Sequence, residues 1–274
     1  MSAIGPFRSG LLGMLFAVSL ASAPSRAAEL VRVGGTGMAL ATMRQISDSL
    51  RAVAPDVVVE VLPSLGTSGA LRALKEHAID IAVAARTLEP EERTKGFVEA
   101  TCLRTALLFA SSHPSPGGIR STDLPRLYTD PAPLWPDGRH LKILMRSRAG
   151  SENAYLAAYL PAMKPALERA YGRPGVPVAT TDQENAELAV RTEGSFAVMT
   201  LLQLRSEHLD LRPVAVDGVV PDPATVADGS YPLSVVVCAV TRAVKPPAVT
   251  RVVTHLRSET GRNLIRSLGA TPLE

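Results

Sequence analysis

The chain has 274 residues, 46% of them hydrophobic and 20% charged, a balance that excludes a disordered polymer and fits one large domain or two medium ones. Its formal net charge is +3, and residues 1–27 hold Arg8 and Arg26 but no acid. The remainder therefore stands at about +1 and has no electrostatic basis for a nucleic-acid partner. Cys102 and Cys238 are the two cysteines, which permits either a single disulfide or two separate buried thiols.

The chain opens with Arg8, an apolar run from Leu11 to Ala21, and small residues up to Ala27. This order predicts a secretory signal peptide over residues 1–27, because the run is shorter than the roughly 20 residues of a membrane span. Leu30 to Val33 then predicts a short strand that runs into Gly34-Gly35-Thr36-Gly37, followed by a helix with Leu40, Met43, Ile46 and Leu50 on one face. A dinucleotide-binding fingerprint fails here. It needs glycine where Leu40 stands, and Glu60 falls inside the next strand, Val57 to Leu62, instead of at its end.

After that strand comes the turn Gly66-Thr67-Ser68-Gly69, a helical pattern with Leu71, Leu74 and Ile79, and the apolar strand Ile79 to Ala84. Small residues at such a turn let the backbone approach a ligand. The free N–H groups of the first helical turn then face it with the positive end of the helix dipole behind them. A plain Ser/Thr helix cap is the alternative reading of this turn. The Gly34–Gly37 turn is a second start of the same kind.

Thr87 to Glu92 predicts a polar helix start, and Thr105 to Ser111 a buried strand. The Pro, Gly and Ser of residues 111–118 suit a crossing between domains, with a second domain over about 119–220. Within it, Leu124 to Tyr128 reads as helical, and a proline-rich loop holds the only tryptophan, Trp135. Leu141 to Met145 predicts a strand that ends in Arg146-Ser147-Arg148-Ala149-Gly150-Ser151-Glu152-Asn153, before a helix from Ala154 to Leu160. An arginine at a strand end, just before a serine that opens a helix, sets a planar donor fork beside further donors, which suits an oxyanion.

Thr181 to Glu184 predicts a capping box and a helix to Arg191, and Gly194 to Leu201 a strand. Residues 221–229 read as irregular. A strand from Ser234 to Val240 follows, then helices over 248–257 and 259–268 that close at Gly269. Enzyme motifs are missing: His77, His113, His140, His208 and His255 are scattered without metal-ligand spacing, and the G-x-S-x-G elbow fails at Ala70. No Walker lysine motif, metal site or cofactor site is predicted, and the expected work is binding.

The segments GGTG, LGTSGALRAL, DIAVAARTLEPEE, RSRAGSEN, DGSYPLSVVV and LRSETGRNLIRSLGATPL follow one another through residues 34–273. In order and spacing the chain resembles the phosphate-binding proteins of bacterial ABC transporters. The resemblance implies an α/β, two-lobed periplasmic-binding-protein fold of type II, with two lobes joined by two hinge strands. Lobe 1 would take residues 28–111 and 225–274, and lobe 2 residues 112–224. It further implies a periplasmic monomer that grips phosphate or a related small oxyanion and delivers it to a membrane ABC permease.

By that resemblance the ligand set is Gly35, Thr36, Gly37 and Met38 at the first turn, and Thr67, Ser68 and Gly69 at the second. Arg146, Ser151, Glu152 and Asn153 come from the second lobe, with Arg148 competing for the arginine's place. Arg86 either adds charge to the pocket or faces solvent. Two departures stand out. Gly37, beside Met38, replaces a threonine at the first turn, and Ala85 replaces the aspartate that would accept the phosphate proton, so Glu152 is the expected substitute acceptor. The layout also brings Cys102 and Cys238 to the hinge region, where a bridge would restrain lobe motion. The alternatives are a diverged sensor or scaffold module without a transport ligand, and a phosphoester hydrolase.

Overall fold

A computed structural model describes Met1 and residues 28–273, so the expected signal peptide lies outside the described residues. The first lobe begins with β1 (Glu29–Gly35), α1 (Leu40–Leu50), β2 (Val57–Val61), α2 (Gly66–Lys75), β3 (Ile81–Ala84) and α3 (Pro90–Thr94), and β4 (Phe97–Ser111) leads out of it. β1 pairs in parallel with β2 on one side and β3 on the other. Parallel strands covered on both faces read as apolar runs, and Val31, Val33, Ile81 and Val83 are accordingly buried. On the covering helices, α1 buries Met43, Ile46 and Leu50, and α2 buries Ala70, Leu71 and Leu74. α2 stops at Lys75, short of Ile79, because His77 takes a left-handed φ of 58° that no α-helix accommodates.

The second lobe contains β5 (Gly118–Ile119), α4 (Leu124–Thr129), β6 (Lys142–Ile143), β7 (Met145–Arg146), α5 (Ser151–Tyr159), α6 (Met163–Tyr171) and β8 (Val178–Ala179). It continues through α7 (Asp182–Arg191), β9 (Ser195–Thr200), α8 (Leu201–Ser206), β10 (Arg212–Pro213), β11 (Ala215–Val216) and α9 (Pro223–Ala227). The chain then returns to the first lobe as β12 (Ser234–Arg242), α10 (Pro247–Arg257), α11 (Glu259–Ser267) and β13 (Ala270–Leu273). Residues 221–229 are thus not irregular throughout. Asp222 caps α9 and Pro223 opens it, but one and a half turns are too short to show a hydrophobic period.

A continuous sheet path in the order β2-β1-β3-β12-β4-β9-β6 passes from lobe to lobe. β4 makes the passage. Residues Phe97 to Ala106 pair with β12, and Leu107 to Ala110 pair with β9. The strand therefore begins well before Thr105, since its first half is set by a partner strand more than a hundred residues away that local pattern does not reveal. Cys102 and Cys238 face one another across this β4–β12 ladder and are joined by a disulfide.

Each lobe has its own core. In the first, Val31, Val33, Met43, Ile46, Val235 and Val237 pack under α1 and α10. The core of the second centres on Phe109 stacked on Phe196 at 4.7 Å between ring centroids, with Tyr128 and Trp135 meeting Phe196 edge-on. Trp135 thus belongs to the interior of the second lobe.

Candidate ligand-binding cleft

The two lobes face one another across a cleft of about 640 Å³. On the first-lobe side, Leu65 and the first turn of α2 line it. No side chain caps this helix start, where Gly66 takes a φ of 64°. Thr67 is held in place by Ala85, whose backbone N–H donates to Thr67 Oγ1 at 2.9 Å. The threonine's own proton is left to donate elsewhere.

On the second-lobe side, α5 starts at Ser151 after Gly150, again with no side-chain cap. Gly150 leaves room for the Glu152 carboxylate, because a Cβ there would stand 2.4 Å from Glu152 Oε1. That carboxylate forms part of a buried cluster around Arg146. The guanidinium donates to Asp182 Oδ1 at 3.1 Å and to the Ala179 carbonyl at 3.0 Å, and its Nε lies 2.7 Å from Glu152 Oε1. The Nε contact is a close ion pair poorly aligned for a hydrogen bond, and no well-aligned donor among the described residues meets either oxygen of Glu152. Burial pushes the Glu152 carboxyl above the usual carboxylate range; Arg146 opposes the rise and Asp182 adds to it.

The cleft's other arginine is also matched. Arg86 makes a two-pronged pair with Glu92, at 2.7 and 2.8 Å, and lies 3.3 Å from Glu89. The Glu92 hydrogen bonds raise its pKa, and Arg86 in turn holds the Glu92 carboxyl below its ordinary value. Arg146 and Arg86, the two arginines that line the cleft, therefore both come with carboxylate partners.

Several side-chain hydrogen bonds tie the lobes together in and beside this space. Tyr155 Oη on α5 donates to the Ala85 carbonyl at 2.7 Å, Gln183 Nε2 donates to the Gly37 carbonyl at 3.0 Å, and Thr36 Oγ1 reaches Asp182 Oδ2 at 3.4 Å. Gly37 is needed for this approach, because a Cβ there would come within 2.7 Å of the Asp182 side chain. The absence of threonine at this turn thus has a steric reason. Tyr155 packs against both cores.

Of the residues expected at the site, Thr36, Thr67, Ser68, Gly69, Arg86, Arg146, Ser151 and Glu152 line the cleft. Gly35, Gly37, Met38 and Asn153 do not. Gly35 lies against β3, where a Cβ would meet Val83; Met38 is in the first core, and Asn153 spans to the Ser147 carbonyl and the Tyr171 hydroxyl. The Thr36 N–H is spent on the Val83 carbonyl and its hydroxyl faces Asp182, so Thr36 brings no free backbone donor to the cleft. Arg148 lies outside, paired with Glu168 and stacked 4.2 Å over Tyr171, which leaves Arg146 as the second-lobe arginine of the cleft.

Sequence reasoning missed Asp182 and Tyr155. Asp182 was readable only as the residue after the Thr181 cap, and its role depends on β7 lying beside β8. The cap itself is half of a box. Thr181 Oγ1 accepts from the Glu184 N–H, whereas the Glu184 carboxylate turns to the Thr180 N–H. Among the described residues there is no cluster of side chains suited to a metal ion, and no helix is long and apolar enough to cross a membrane.

Two α/β lobes, strands exchanged between them and a polar cleft at the crossing define a two-lobed binding protein. The chain belongs to the PBP superfamily, whose domain model matches residues 21–251. No curated protein matches it in sequence. Among solved structures it is similar to a protein of Clostridium perfringens described as a phosphate ABC transporter substrate-binding protein with bound phosphate. The TM-score is 0.73 at 17% identity, covering 90% of this chain and 100% of that one. An ABC-type phosphate transport receptor from Vibrio cholerae gives 0.57 at 14% identity, over 89% and 99% of the two chains. The effector-binding domain of QuiR in complex with shikimate gives 0.55 at 10% identity, over 84% and 95%. At these identities the likeness establishes the type II periplasmic-binding-protein fold.

Proposed function

We propose that the protein is an exported, periplasmic solute-binding protein that takes phosphate or a related small oxyanion into the cleft and presents it to a membrane ABC permease. The observation that carries this reading is the convergence of two uncapped helix starts, those of α2 and α5, from opposite lobes on one cleft. Backbone N–H groups at helix starts are donors backed by the helix dipole, and two of them from opposed lobes can hold one anion only when the lobes close. The Thr67, Ser68 and Ser151 hydroxyls add donors, and Arg146 keeps guanidinium protons beyond those its carboxylate and carbonyl partners use. We place the hinge where β4 and β12 pass between the lobes, near Thr105 and Ser234. The work is binding, with no chemistry assigned to the cleft.

Calorimetric titration of phosphate, with sulfate in parallel, into residues 28–274 tests the reading. Micromolar binding of either anion that weakens at least tenfold in a Thr67→Val, Ser151→Ala double variant is the expected result. Unchanged affinity in that variant places the site elsewhere. One observation favours a second reading, a sensor or scaffold module that carries no transported ligand: both cleft arginines already have carboxylate partners. Absence of binding by any oxyanion would favour it.

A further inference from the structure

The cleft is larger and less basic than a bare tetrahedral oxyanion requires. Its volume of about 640 Å³ falls within the range of roughly 300–1,000 Å³ typical of small-molecule sites. Beside the polar groups of Thr36, Arg146 and Asp182, its wall carries an apolar stretch formed by Leu65, Ala85, Ala154, Tyr155 and Ala158. Leu65 stands 41% exposed there, a large side chain without cover beside the anion-accepting turn of α2. A group of a few heavy atoms held at the helix starts leaves that stretch facing water, whereas an organic body attached to the group covers it and gains from the burial of apolar surface.

Glu152 supplies the second requirement. It is 2% exposed and lines the cleft, and its close side-chain partner is the poorly aligned Arg146 Nε at 2.7 Å from Oε1, which leaves Oε2 without an aligned donor among the described residues. A buried acceptor left in that state costs free energy that a ligand donor recovers. The charged groups around it are Arg146 and Asp182, so two carboxylates share one guanidinium and the cluster is short of positive charge. A second anion adds to that shortage, while a hydroxyl or ammonium group relieves it.

We propose, building on the oxyanion reading above, that the ligand is an organic phosphate or phosphonate whose body carries a hydrogen-bond donor. The oxyanion head sits on the starts of α2 and α5, the donor meets Glu152, and the carbon body lies along Leu65, Ala85 and Tyr155. Selection then comes from the donor and the body, since the head alone is common to every phosphoryl compound. This assignment also accounts for Ala85 and for the paired state of Arg86. The cleft does not neutralise a small dianion with free cations; it recognises an extended molecule of mixed polarity.

Calorimetric titration with four probes tests this: inorganic phosphate, ethylphosphonate with no donor on its body, 2-aminoethylphosphonate with an ammonium, and glycerol 3-phosphate with hydroxyls. The expected result is that at least one donor-bearing probe binds tenfold or more tighter than both inorganic phosphate and ethylphosphonate. Glu152→Gln, with cooperative melting as the check on folding, should reduce that preference to threefold or less. If inorganic phosphate binds as tightly as every organic probe, the ligand class is overturned while the oxyanion reading stands. If a donor-bearing probe is preferred but Glu152→Gln and Glu152→Ala keep the full preference, the role of Glu152 is overturned. If no probe binds and the Thr67→Val, Ser151→Ala double variant changes nothing, the oxyanion reading fails with it.

Discussion

The two sides of the cleft offer the same backbone device in different surroundings. At the start of α2 the lining is uncharged, Leu65 followed by small residues, and the nearby arginine, Arg86, is held by glutamates at the surface with 31% of its side chain exposed. At the start of α5 the lining is charged and buried, with Arg146, Glu152 and Asp182 each under 10% exposed. The first side can accept an anion of almost any kind, because N–H groups and hydroxyls do not discriminate strongly. The second side places closely coupled buried groups at the cleft, and on the proposed reading it is there that selectivity is set. Under the proposed function, anion acceptance and anion choice thus fall to different lobes, to be combined on closure.

The largest test of this division is removal of Arg146. Arg146→Ala leaves Glu152 and Asp182 buried without their cation and is expected to cost about 3–5 kcal/mol of folding stability in chemical denaturation. Arg148→Ala, which breaks the exposed pair with Glu168, should cost less than about 1 kcal/mol. Equal effects from the two would mean that the second-lobe wall is no more demanding than an ordinary surface.

The disulfide tests the first-lobe side. Replacing Cys102 and Cys238 together by alanine opens a loop whose ends are 136 residues apart and is expected to cost about 2–4 kcal/mol, read as a lower melting temperature. Because both cysteines sit on the β4–β12 ladder, away from α5, the variant's preference among anions should be unchanged. A changed preference would show that selectivity is not confined to the second lobe.

Two smaller substitutions act on Ala85 from opposite sides. Thr67→Val removes the acceptor of the Ala85 N–H within the first lobe, at about 1–3 kcal/mol of stability. Tyr155→Phe removes the donor to the Ala85 carbonyl from across the cleft, at about 0.5–1.5 kcal/mol. The tyrosine change should also enlarge the radius of gyration in small-angle scattering, because that bond exists only with the lobes together. Trp135 is a poor reporter of the same motion, buried as it is at 2% exposure inside the second lobe.

The smallest expected effect is in pH dependence, and it has opposite signs on the two sides. The Glu152 carboxyl is raised in the folded state, chiefly by burial. The folded protein therefore holds a proton that the unfolded chain releases between the ordinary carboxylate pKa and the raised one, and stability falls as pH rises through that window. Glu152→Gln should flatten this loss and gain on the wild type toward neutral pH. Glu92, lowered by its hydrogen bond to Arg86, contributes stability that is present above the ordinary carboxylate pKa and fades as pH falls through the lowered one. Denaturation midpoints of Glu152→Gln and Glu92→Gln followed from pH 4 to 8 (about the carboxylate range and above) should diverge in these directions, and parallel profiles would remove the contrast.

Much of the fold was legible in the chain because it is made of local signals. The glycine turn before Leu40, the small-residue turn at residues 66–69 and the arginine-to-serine spacing before α5 each combine a strand pattern with a helix pattern, and such patterns are written in consecutive residues. They were enough to predict an α/β chain whose helix starts accept an anion. What they could not specify is contact between distant segments. The first half of β4 is a strand because β12 lies beside it, and Asp182 reaches Arg146 because β8 lies beside β7. Gly35, Met38 and Asn153 looked like donors in sequence, yet packing on Val83, burial in the core and a bridge to Tyr171 take them out of the cleft. Hydrophobic period and turn chemistry act over a few residues, so the sequence alone determined the elements and where their ends offer donors. Charge compensation, burial and the meeting of the two lobes act across a hundred residues or more, so only the tertiary structure decided which of those donors face a ligand and what kind of ligand their surroundings accept.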